Sequence, residues 1–117
     1  MRRALLLLAL APLACGGKDT SSPVVELRAT GVSPTTIPVA SKGTLRFVNK
    51  DTAEHQITSA DCSELATPKL AANAESTVTL GVGPKTCTYS DALNPANTAF
   101  QGKVTVLAPG VGPDPGY

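Results

Sequence analysis

Short runs in which apolar and polar residues alternate one for one fill the middle of this 117-residue chain. Val25, Leu27 and Ala29 alternate with Glu26 and Arg28, and Leu45 and Phe47 with Thr44 and Arg46. Ile37 and Val39 stand between Pro34 and a Lys42-Gly43 turn, and Val78, Leu80 and Val82 oppose Thr77 and Thr79. His55, Ile57 and Ser59 share one face of a further run, and residues 85–90 and 103–107 supply the last two. A period of two belongs to half-buried strands, whereas a helix needs apolar residues every three to four positions. Only residues 63–70 could form a helical turn or two. About seven strands separated by turn residues imply an all-β Greek-key sandwich. With no Trp, two Phe and two Tyr, its core must be mostly Val, Leu, Ile and Ala.

The two ends read differently. Arg2 and Arg3 precede an apolar run from Ala4 to Leu13. About ten apolar residues are too few to anchor across a bilayer, so residues 1–14 are expected to be a signal peptide. Cys15-Gly16-Gly17 resembles a bacterial lipoprotein processing site, with Cys15 as the lipidated residue, although Pro12 stands where that pattern prefers Leu. Residues 15–23 then form a tether, residues 24–108 the domain, and the Pro- and Gly-rich residues 109–117 a tail expected to be disordered. Three cysteines in an exported chain leave one over if all the rest is disulfide chemistry. Assigning Cys15 to lipid leaves Cys62 and Cys87 as a disulfide pair, which an oxidising compartment would form. Without the leader, eight Lys and Arg face nine Asp and Glu. No basic face stands out, so no nucleic-acid partner is expected.

The residues from Tyr89 to Pro95 and from Phe100 to Val106 outline a turn held between two strands. Together with the stretch from Ser33 to Ile57, where Asn49-Lys50-Asp51 leads to His55, they resemble a cupredoxin-like domain. The resemblance covers about Val32 to Val106. It implies a copper-binding frame in which His55 takes the first ligand position, the thiolate position falls on Asp91, the second imidazole on Asn94, and the axial methionine nearest Phe100. None of those last three is a copper ligand of the expected kind. A blue-copper centre needs two imidazoles and a thiolate, and this chain has one His in total. The only Met is Met1. The loop therefore points to the fold and away from its best-known chemistry, and no cofactor is expected.

Other groupings are weighed on the same terms. His55 with Asp51, Glu54 and Asp61 has the donor types of a low-affinity metal site, but reads more simply as a solvated strand end. On that reading, removing the imidazole should cost little stability. His55, Ser59 and Asp61 contain the residue types of a hydrolase triad. His55 and Ser59, four positions apart on one strand face, lie about 13 Å apart, too far for the His–Ser hydrogen bond. Asp91 and Asn94 are expected to hydrogen-bond their own loop, as Asx residues do in turns. The expected protein is a non-enzymatic, copper-free binding or structural module. It is expected to be held by lipid on a bacterial envelope membrane, facing the periplasm or the exterior, beside an unknown envelope partner. The alternative is a copper-binding or electron-transfer protein with a non-standard site using His55.

Overall fold

A computed structural model of the chain describes residues 22–112. The expected signal peptide, Cys15, most of the tether and the end of the tail lie outside the described residues. Eight strands follow one another: β1 (Val24–Arg28), β2 (Gly31–Ser33), β3 (Thr36–Val39), β4 (Thr44–Asn49), β5 (Ile57–Thr58), β6 (Glu75–Thr79), β7 (Lys85–Asp91) and β8 (Gly102–Val106). A 3-10 turn, Thr98–Phe100, precedes β8. The strands make two four-stranded sheets, ordered β2-β1-β4-β6 and β3-β8-β7-β5. β1 pairs with β4 and β3 with β8 in parallel, and the remaining neighbours are antiparallel.

The alternation seen in the sequence sets which face is buried. Val25 and Leu27 of β1, Leu45 and Phe47 of β4, and Val104 and Val106 of β8 all lie between the sheets. Burying an aliphatic or aromatic side chain of this size contributes about 1.5–3 kcal/mol. The outward positions of the first sheet carry charge, including the pairs Arg28–Glu26 and Arg46–Glu75. The outward positions of the second carry hydroxyls, among them Thr36, Thr88 and Thr105.

Three local expectations are corrected. An additional strand, β2, follows a sharp reversal at Gly31, where φ is +134° and a Cβ would overlap the Ala99 carbonyl oxygen. Residues 63–70 form no helix. Beyond one turn closed by Leu65 N–H on Cys62 O (2.9 Å), they take up no regular structure, and their backbone is bonded elsewhere. Thr67 N–H donates to Ile57 O (3.0 Å), and Leu70 exchanges hydrogen bonds with His55. The third correction concerns Val82, which lies outside β6 and is 55% exposed, because the chain turns away at Gly81.

Tyr89 joins the sheets. Its ring meets that of Phe47 edge-on, with centroids 5.4 Å apart. It also occupies the space where a side chain on the paired residue Gly102 would lie, so a Cβ at position 102 would overlap the ring. Glycine is therefore required there by packing. The expected disulfide is present between Cys62 and Cys87, with Cα atoms 5.6 Å apart. Both residues are buried.

Candidate functional site

The polar centre of the molecule is assembled where the loop after β4 meets the end of β7. Asn49 begins it. This residue continues the inward phase of Leu45 and Phe47, so its amide is buried in place of an apolar side chain. Its Nδ2 donates to Ala53 O and Leu70 O, each at 2.8 Å, and its Oδ1 accepts from Asp51 N–H at 2.8 Å. Those three bonds fold the loop so that Asp51 and His55 face each other. Two backbone hydrogen bonds with Leu70 then fasten His55 in an isolated bridge.

His55 is 2% exposed, which corrects its reading as a solvated strand end. Its Nδ1 lies 2.5 Å from Asp91 Oδ2, and its Nε2 lies 2.8 Å from Asp51 Oδ2. Phe100 stacks on the ring, with centroids 4.3 Å apart and planes inclined by 24°. The burial has a clear cause. Asp91 closes β7 opposite Ile57 of β5, so its carboxylate points inward in the same phase as Cys87 and Tyr89. That charge needs polar partners, because an unpaired buried carboxylate is very costly.

Geometry dictates protonation. Ionised carboxylates only accept hydrogen bonds, so a ring with both nitrogens against carboxylates must donate from both. With both carboxylates ionised and the pH below its own pKa, His55 is then an imidazolium. Burial is the strongest single influence on it and opposes the charge, yet the bonds to Asp91 and Asp51 together hold its pKa above the ordinary value. Burial likewise works hardest against Asp91, and is outweighed by His55, the N–H groups of Gln56 and Leu93, and the Asn94 amide. Its pKa is lowered. The bond from His55 is also the chief cause of the lowered pKa of Asp51.

The expected Asx behaviour of Asp91 is present but is only part of its role. Its Oδ1 accepts from Leu93 N–H and from Gln56 N–H, both at 3.0 Å. Asn94 is exposed, and its Nδ2 lies 3.4 Å from Asp91 Oδ2. Asn97 caps the 3-10 turn by accepting from Ala99 N–H at 3.0 Å, which presents Phe100 to the imidazole. Phe100 therefore packs on His55, as well as closing the end of the sandwich.

The hydrolase grouping is not assembled. Ser59 donates to Asp61 at 2.8 Å, and Asp61 in turn accepts from Thr88, while both nitrogens of His55 are held elsewhere. The low-affinity metal grouping is replaced in the same way, since Asp51 already binds the ring and Glu54 is exposed. A third set, Cys62, Glu64 and Cys87, brings its donor atoms within 4.8 Å of one another. Its sulfurs are joined as a disulfide, and Glu64 accepts from Lys85 Nζ at 2.7 Å. Metals bind the thiolate form of cysteine. Sequence reasoning missed Asn49 and Gln56. The signal for Asn49 was a polar residue standing in a core phase.

No family model matches the chain, and no curated protein matches it. Solved structures do. The sandwich resembles the Cu-containing nitrite reductase (NirK) from Thermus scotoductus SA-01 at a TM-score of 0.66 and 21% identity, over 85% of this chain and 26% of that one. It resembles a purple cupredoxin from Nitrosopumilus maritimus at a TM-score of 0.62 and 18% identity, over 74% of this chain and 100% of that one. An oxidized mutant of amicyanin gives 0.65 and 18%, over 77% of this chain and 86% of that one. The chain thus has a cupredoxin-like fold, and it spans about a quarter of the nitrite reductase. Identities this low carry the fold alone. The residues present do not fit a blue-copper centre, which needs two imidazoles and a thiolate, because the chain has one His and Cys62 and Cys87 are joined as a disulfide. Both nitrogens of His55, the remaining candidate ligand, already hold carboxylates.

Proposed function

We propose that this chain is a lipid-anchored protein of a bacterial envelope whose cupredoxin-like domain works without copper. On this reading it is a non-enzymatic binding or structural module. The observation that carries it is the closure of the only imidazole by two carboxylates, which leaves no nitrogen lone pair for a metal. A binding role is further supported by a groove of about 430 Å³ on the outer face of the second sheet, lined by Thr36, Thr58, Thr88, Ser90 and Lys103. Fold alone assigns no partner. Anchoring rests on the sequence around Cys15, with an envelope membrane and an envelope protein as the partners.

Metal analysis of natively purified protein, followed by titration with Cu(II) and Cu(I), tests the copper-free state. No visible absorption band and no stoichiometric copper after desalting are expected. Retention of one copper per chain would overturn the reading. Membrane fractionation of Cys15→Ala tests the anchor separately, and unchanged fractionation would remove it.

A further inference from the structure

The loop between β7 and β8 rests on a buried ion pair and, at Ala99, on Gly31 of β2. Ala92 N–H donates to Gln56 O at 2.6 Å, Leu93 N–H and the Asn94 amide reach Asp91, and Phe100 lies against the imidazole. Every one of these contacts converges on the pair His55–Asp91 or on the residue next to it. We propose that Asp51, His55 and Asp91 form a protonation-dependent latch that holds residues 92–100 closed while the ring is an imidazolium and releases them when it loses a proton.

The physical reason is the lack of any spare acceptor or donor. When the ring is neutral, one nitrogen carries a lone pair, and that lone pair faces a carboxylate oxygen at 2.5 or 2.8 Å. Two acceptors at that distance repel, and the carboxylate left without its donor is buried. If it is Asp91, which has 0% exposure, the charge has no route to water unless the loop moves. Phe100 also loses a cation from its face, which weakens the stacking. The strands beneath do not share this dependence, because β4, β7 and β8 are joined by backbone ladders and apolar packing.

The charged surroundings are few. Asp51 comes from the loop after β4, Asp91 from β7, and the 3-10 turn brings no charge. Lys50 and Glu54 on the same loop as Asp51, and Lys69 beside Leu70, are all exposed. Among the described residues, the two carboxylates are thus the charged groups that meet the ring.

Because the chain has one His, imidazole signals in nuclear magnetic resonance report this ring alone. In the full chain, both ring nitrogens should be protonated at pH 6, with a deprotonation midpoint above the ordinary value of about 6.5. Amide-exchange protection factors, corrected for intrinsic rates, should fall by about tenfold or more for residues 92–100 through that same midpoint. Those of β4 and β7 should stay level. Asp51→Asn should lower the midpoint, and in His55→Gln the loop should lose its pH dependence between pH 5 and 9. A neutral ring at pH 6, level loop protection across the titration, or an unmoved midpoint in Asp51→Asn would each overturn the latch. Copper binding is read by a separate assay, so failure of the latch and failure of the proposed function are distinguishable.

Discussion

Two fasteners of opposite chemistry secure the irregular stretch between β4 and β6, and both end on the inward face of β7. One is covalent: Cys62 of the β5–β6 loop is bonded to Cys87. The other is ionic: the β4–β5 loop presents His55 to Asp91, four residues further along the same strand. Tyr89 stands between the two anchor points and ties β7 to Phe47 of the opposite sheet. The disulfide is indifferent to protons and the ionic pair is indifferent to reductants. The contrast teaches that a segment with little regular structure can be held at two points that respond to different conditions.

Removing the ionic fastener should have the larger effect. His55→Ala leaves Asp91 buried without its partner, and truncating one side of a buried pair costs about 3–5 kcal/mol. Urea unfolding at about pH 6 measures it, and a loss below about 1 kcal/mol would return His55 to the role of an ordinary polar residue. The disulfide follows. For a sequence separation of 25 residues the chain-entropy treatment gives about 3–4 kcal/mol, measurable in Cys62→Ser with Cys87→Ser or after reduction.

The two variants should also part in their pH dependence. His55 has a raised pKa, so its contribution is complete below about 6.5 and is lost as pH rises through its higher folded value. Asp91 has a lowered pKa, so its contribution is complete above about 3.9 and is lost as pH falls through its lower folded value. Both contributions are complete together only between about pH 3.9 and 6.5, so the ionic fastener is strongest at mildly acidic pH. Unfolding midpoints from pH 3 to 9 should keep that profile in the disulfide-free variant and lose it in His55→Ala. A shared profile would mean that the fasteners are not independent.

Smaller effects test what lies between and beyond them. Gly102→Ala must displace the Tyr89 ring, and overpacking of this kind costs about 1–3 kcal/mol. Because Tyr89 joins the anchor points, the variant should also raise amide exchange near both. Arg46→Ala breaks an exposed pair with Glu75 on the other sheet, and a change of about 0.5 kcal/mol is expected. A larger loss there would show that the charged sheet face matters more than its exposure suggests.

Much of the sandwich was legible because a strand writes its burial locally. Leu45 and Phe47, or Val104 and Val106, declare their face by alternation with polar neighbours. The disulfide was legible from counting cysteines. The candidate site was legible only in outline: His55 and Asp91 were singled out, but as separate residues. Whether His55 is solvated depends on a carboxylate 36 residues away and a ring 45 residues away. Nothing in the local pattern around His55 encodes that meeting. Asn49 lay closer to view, since its inward phase required a buried amide, and a buried amide requires partners.

Seven of the eight strands, the paired cysteines and the lack of residues for a blue-copper centre can be read from the chain, because each follows from local periodicity or from residue identity and number. That the one imidazole is buried and clasped by two carboxylates under Phe100 emerges only in the folded molecule. Burial and protonation belong to what surrounds a group, and those surroundings exist only once loops far apart in the chain have met.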